Sequence, residues 1–131
     1  MTEATGTFQV TGGSEDTYYE LEGGPKLTRV SGAQRFTGDI EGDGSVEWVM
    51  CYLPDGTARF AGLQRIEGWI DERPGTFVME SVGTHDGKAS KGTWTVIAGS
   101  GTGDLSGLTG AGTFDAPGGP EVSYRLEYRL D

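Results

Sequence analysis

The chain has 131 residues, the size of one domain with one core, and 20 acidic against 10 basic side chains give it a net charge of −10. No stretch gathers Lys and Arg into a stripe able to neutralise phosphates, which removes nucleic acid from the expected partners. One cysteine, Cys51, rules out an intramolecular disulfide framework, and no run of about 18 apolar residues offers a membrane span.

Turn formers punctuate the chain in order: Gly12-Gly13, Gly23-Gly24-Pro25, Gly42-Asp43-Gly44, Pro54-Asp55-Gly56, Arg73-Pro74-Gly75, Asp86-Gly87, Gly99-Ser100-Gly101 and Pro117-Gly118-Gly119-Pro120. The segments between them are rich in β-branched and aromatic residues and show no sustained helical period. This spacing predicts a single all-β domain over residues 1–131, a sandwich or barrel of hairpins. Glycines inside the apolar segments, at positions 62, 68, 83, 92, 107, 110 and 112, suit the bends that let a sheet close, and so favour the barrel.

In the strand Ser45–Leu53, Val46, Trp48, Met50 and Tyr52 fill one face while Val49, Cys51 and Leu53 fill the other, interrupted by Glu47. Ala58–Asp71 likewise carries Phe60, Gln64, Ile66 and Ile70 on one side and Ala61, Leu63 and Trp69 on the other. The last strand alternates cleanly, Val122, Tyr124, Leu126, Tyr128 and Leu130 against Glu121, Ser123, Arg125, Glu127 and Arg129. A barrel wets its exterior, so two apolar faces on neighbouring strands imply a cover over the outer wall. A homo-oligomer is expected, with a wrap by the chain's own N-terminal forty residues as the competing arrangement.

Several motif readings fail on spacing. The Gly99–Gly112 run contains no G-x-G-x-x-G window and no Gly-Lys-Ser/Thr. Asp39–Gly44 starts like an EF-hand loop, but its third position is Glu41 and its twelfth is Met50. His85 and Cys51 are the sole His and Cys, so no metal site and no cofactor are expected. No G-x-S-x-G elbow is present either.

Polar residues inside apolar alternation stand out: Glu47 among Val49, Cys51 and Leu53; Gln64 among Phe60, Ile66 and Ile70; Glu80 between Val78 and Val82. A carboxylate facing an apolar lumen has a raised pKa and serves as a general acid near neutrality, so Glu47, Gln64 and Glu80 are the candidate catalytic cluster. Exposed or hydrogen-bonded polar residues are the plainer reading of the same three. Trp48, Tyr52, Trp69, Phe77, Trp94 and Tyr124 are candidates to line a pocket for a flat or polyene ligand, though such residues are more often plain core. His85 joins them as a residue at the pocket mouth or a solvated strand end.

The segments Lys26-Leu27-Thr28-Arg29, Phe36–Gly42, Gly62-Leu63-Gln64-Arg65, Trp94-Thr95-Val96 and Gly99–Leu108, taken in that order, resemble a bacterial domain-of-unknown-function family over nearly the whole chain. Its members resemble allene oxide cyclase in fold. The resemblance implies an eight-stranded antiparallel, calycin-like barrel with a pocket opening at one end, and it brings no agreed activity. Related barrels confine flexible apolar substrates and steer ring closure. The expected function is therefore binding of a hydrophobic, polyketide- or lipid-like small molecule in the lumen, by a cofactor-independent cyclase or isomerase or by a non-catalytic carrier; the third reading is a structural or interaction protein whose lumen is filled by side chains. The first residues, Met-Thr-Glu-Ala-Thr-Gly, lack the basic and apolar regions of a signal peptide, and with one cysteine this makes the cytoplasm the expected location.

Overall fold

In a computed structural model, described for residues 1–130, the chain forms eight strands: β1 Thr2–Glu20, β2 Lys26–Gly38, β3 Ile40–Tyr52, β4 Ala58–Ile70, β5 Arg73–His85, β6 Ser90–Val96, β7 Leu108–Ala116 and β8 Glu121–Leu130. Each strand pairs antiparallel with the next, and β8 returns to β1, closing an up-and-down barrel. Closure removes every sheet edge along the shared length of the strands. The closed all-β barrel expected from the chain is observed, although Gly107, expected within a strand, lies in the turn before β7. Among the described residues no helix is long and apolar enough to cross a membrane.

Three expected turns lie inside strands instead. Gly12-Gly13 sits in β1, where the register with β2 shifts between Val10 and Gly12, a bulge that lets the strand continue. Gly42-Asp43-Gly44 lies within β3, paired with β2 and β4. Arg73-Pro74-Gly75 begins β5; the reversal before it is made by Asp71 and Glu72, with φ of 46° and 73°, the two left-handed residues a tight hairpin needs.

Aromatic rings fill the middle of the barrel. Phe8 stacks on Phe36 at 4.8 Å and on Trp94 at 5.7 Å, and Trp94 also meets Phe114 at 5.5 Å and Tyr124 at 5.6 Å. Ile40, Ile66, Ile70, Phe77, Met79, Leu108 and Leu126 extend this core.

One end of the barrel is plugged by the glycine run. Pairing of β5 with β6 starts only at Met79–Val96, so Arg73–Val78 needs another partner. The β6–β7 connection supplies it: Ile97 N donates to Val78 O at 2.9 Å, and Thr102 N to Thr76 O at 2.9 Å. Ser100 Oγ and Thr102 Oγ1 accept from Val78 N and Thr76 N, both at 3.1 Å. A 3-10 turn at Gly103–Leu105 then drops the fully buried Leu105 into the core. Backbone must touch backbone here, since a Cβ on Gly75 would lie 2.1 Å from Thr102 O and one on Gly101 1.9 Å from Leu105 O.

The opposite end is incomplete. β1 pairs with β8 only as far as Gln9–Glu121, and beyond that it runs on with β2 alone. Val10–Glu20 is therefore paired on one side only, with Lys26–Gln34 of β2, which stays in the wall through its own pairing with β3, and this free edge forms a flap at the open end. The N-terminal forty residues are thus wall and flap, and they do not wrap the outside of β3, β4 and β5. Val49, Leu63 and Val82 remain about half exposed there, at 47 %, 49 % and 53 %.

Candidate functional site

The overhang creates a cleft of about 440 Å³ lined by Val10, Gly13, Glu15, Val30, Val46 and Trp48, together with neighbouring backbone. Before the bulge, even-numbered residues of β1 face inward, as Ala4 and Phe8 do; the extra residue brings Gly13 and Glu15 to that face instead. Val10 opposes the buried Gln34, yet it is 54 % exposed because no strand covers it beyond Gln9.

Two polar features mark this cleft. Glu15 Oε2 accepts from Tyr52 Oη at 2.6 Å and from Thr28 Oγ1 at 2.7 Å. Burial pushes the Glu15 carboxyl up, but these two hydrogen bonds and the Lys26 charge outweigh it and hold the group below its ordinary value. Burial pushes the Tyr52 phenol up to about 12, with the bond to Glu15 and its charge acting the same way. The second feature is Trp48, whose ring lines the cleft while its Nε1 is buried without a hydrogen-bond partner. A buried donor left unpaired costs about 1–3 kcal/mol, so a ligand oxygen there would be rewarded.

Deeper in, Trp94 Nε1 donates to Gln64 Oε1 and Gln64 Nε2 donates to Gln34 Oε1, both at 2.8 Å. Gln34 Nε2 ends this relay unpaired, and Ser81 Oγ, two strands from Trp48 in the same inward-facing row, is also unpaired. Gln64 is thus a lumen residue, as its place in the apolar alternation suggested.

Glu47 and Glu80 are not in the lumen. Both flank the exposed Leu63 in register on the outer wall, because odd positions of β3 and even positions of β5 share that face. The expected carboxylate–amide–carboxylate cluster is therefore split, with the amide inside and both acids in solvent.

The aromatic candidates divide in the same way. Trp48 and Tyr52 border the open end. Phe77 and Trp94 are core, 1 % exposed each. Tyr124 is a staple: its hydroxyl accepts from Ile40 N at 2.9 Å and lies 2.9 Å from Thr37 O, pinning the β2–β3 reversal. Trp69 is 49 % exposed on the outer wall, opposite Glu41 and Pro74. His85 is at the rim, its Nδ1 2.7 Å from Ser90 Oγ across the β5–β6 hairpin. Glu15 and Thr28 escaped the sequence reading because Gly12-Gly13 looked like a turn; a bulged strand through that pair is the signal that places Glu15 inside.

The outer wall carries a larger groove, about 830 Å³, that crosses β3 to β7 and is bordered by Tyr18 of β1 and Leu27 of β2. Val49, Ala61 and Val82 form one side of it and Arg59, Lys91 and Asp115 stand on the other. No group of three or more His, Cys, Asp or Glu among the described residues is arranged to hold a metal ion.

The matching family profile covers residues 4–128 and is described as a protein of unknown function, DUF3224. The chain belongs to the DUF3224 family. A solved structure of a DUF3224 protein of unknown function from Shewanella oneidensis MR-1 is similar throughout, at 25 % identity and a TM-score of 0.84, covering 100 % of this chain and 98 % of that one. No curated protein matches the sequence. The DUF3224 barrel is thus a shared fold with no activity attached, and the overhang, bulge and plug described above are features of this chain's own residues.

Proposed function

We propose that this barrel binds a small, mainly apolar molecule in the cleft under the β1–β2 flap, without catalysing its reaction. The observation that carries the reading is the unpaired, buried Trp48 Nε1 on a ring that lines a cleft of about 440 Å³. That volume suits a compact ligand, and Val10, Val30 and Val46 give it apolar walls. A carbonyl or hydroxyl oxygen on the ligand accepts from Trp48, and a hydroxyl or amine donates to the Glu15 carboxylate. The ligand class is then a neutral or cationic apolar molecule with one or two polar groups, since the net charge of −10 repels anions.

Binding is favoured over the cyclase or isomerase reading that barrels resembling allene oxide cyclase suggest. The proposed acids, Glu47 and Glu80, face solvent, and Glu15, the carboxylate that borders the cleft, is held ionised and is a weak base. Nile red, a neutral apolar dye with a ring carbonyl, tests the proposal by its fluorescence on titration. The expected result is saturable binding that Trp48→Phe weakens about threefold to tenfold, the worth of one hydrogen bond. Val82→Ser, on the outer groove, leaves it unchanged. Binding that survives Trp48→Phe but falls with Val82→Ser would move the site to the outer wall and overturn the reading.

A further inference from the structure

The outer wall of β3, β4 and β5 is built in rows. Val49, Ala61 and Val82 oppose one another in register and form an apolar row. About 7 Å toward the open end, two residues along each strand, the next row carries Cys51, Arg59 and Thr84, with Lys91 beyond on β6. The same distance toward the plugged end lie Glu47, Leu63 and Glu80. On β4 to β6 the cations Arg59 and Lys91 thus stand on one side of the apolar row, with Asp115 of β7 ending their row, and the anions Glu47 and Glu80 stand on the other. Among the described residues, none of Arg59, Lys91, Glu47 and Glu80 has an ion-pair partner.

The two sides also differ in shape. The groove lies between the apolar row and the Arg59 row, where the inward-turned Phe60, Gly83, Gly92 and Phe114 leave only backbone as its floor. Leu63, 49 % exposed and flanked by the two glutamates, stands on the other side.

We infer that this face is the interface of a twofold homodimer, with the symmetry axis lying along the Val49–Ala61–Val82 row, across the strands. The operation reverses strand direction and keeps strand order, so it lays β4 of one copy along β4 of the other in the opposite sense. Leu63 of each copy then lands on the partner's Arg59 and packs against the apolar stem of that side chain. Glu47 and Glu80 arrive on either side of the facing Arg59, pairing charges that are single in the monomer. An axis parallel to the strands fails, because it brings the Arg59 row against itself. The three rows on β3, β4 and β5 give the contact a centre of roughly 15 by 20 Å, and reaching the ~800 Å² per partner that stable interfaces bury takes the flanking strands of the curved wall as well. The row also gives the two apolar faces of β3 and β4 a physical purpose, since the N-terminal strands do not cover them.

Size-exclusion chromatography with light scattering tests the arrangement. Wild-type protein is expected at twice the 13.9 kDa chain mass. Arg59→Glu places three carboxylates together and is expected to give the 13.9 kDa species, as is the pair Glu47→Arg with Glu80→Arg. Combining all three substitutions restores the dimer by exchanging the charges. All are exposed positions, and circular dichroism verifies that each variant retains the wild-type fold. A 13.9 kDa wild type at millimolar concentration overturns the inference, as does an oligomer that survives Arg59→Glu or a triple variant that stays monomeric.

Discussion

Replacing Gln64 by Leu breaks the buried relay at its centre. Gln64 is fully buried and is the one residue bonded at both ends, accepting from Trp94 Nε1 and donating to Gln34 Oε1, each at 2.8 Å. Gln64→Leu leaves that indole N–H and that amide oxygen unpaired in the core, at about 1–3 kcal/mol each. The added apolar surface returns about 1–2 kcal/mol, so the net loss is about 2–4 kcal/mol. For a domain of this size that lowers Tm by about 7–15 °C. Gln34→Leu differs in kind. It orphans one donor, Gln64 Nε2, while removing Gln34 Nε2, which is already unpaired, so its net cost is about 0–1 kcal/mol. The double variant leaves Trp94 Nε1 alone unpaired and is expected to be more stable than Gln64→Leu by itself. Urea unfolding followed by circular dichroism measures all three, and the cycle gives the coupling directly. Equal losses for the two single variants, or a double variant at least as unstable as Gln64→Leu, would refute the relay.

The plug offers a second check: Gly75→Ala sets a methyl 2.1 Å from Thr102 O and is expected to cost about 1–3 kcal/mol in urea unfolding, with Gly119→Ala, which meets nothing within 4 Å, as the neutral control. Tyr52, Tyr124 and Tyr128 are each pushed from 10.0 to about 12, burial being the largest cause in all three. A raised folded value means the stabilisation is whole below pH 10 and is lost as pH rises toward 12, so thermal unfolding should show stability falling across that window while the phenols ionise late. Glu15 has the opposite sign, its lowered folded value making its contribution present above the ordinary 4.5 and lost on acidification through the folded value. Glu15→Gln should flatten that acid limb, and should weaken binding of amine-bearing ligands more than of ketones.

The barrel was legible in the sequence because β-branched alternation, regular turns and in-strand glycine all demand the same closed sheet. The Ser45–Leu53 strand reads correctly in its faces for the same reason, although β3 starts earlier, at Ile40, and ends at Tyr52: Val46, Trp48 and Met50 face inward and Val49 and Cys51 outward, as period two requires. The face of the Glu47–Gln64–Glu80 set was not legible. Apolar residues occupy both sides of β3 and β4, so alternation shows that two residues share a side without showing which side is the lumen. Register settles it, pairing Leu63 with Glu47 and with Glu80, and leaving Gln64 on the opposite face. The cleft was hidden by a single inserted residue. Without the Val10–Gly12 bulge, Glu15 would sit on the outer wall, and Gly12-Gly13 carries no mark that separates a bulge from a turn.

The most direct test of the binding account follows the three indole N–H signals by nitrogen-edited NMR while apolar ketones with two or three rings are titrated in. Trp48 Nε1–H, buried and unpaired, is expected to move downfield with saturation as it gains an acceptor. Trp94, already bonded to Gln64, and Trp69, on the outer wall, stay in place. A panel that leaves Trp48 unmoved, or that shifts Trp69 in its stead, would contradict the claim that the cleft under the flap is where this protein meets its ligand.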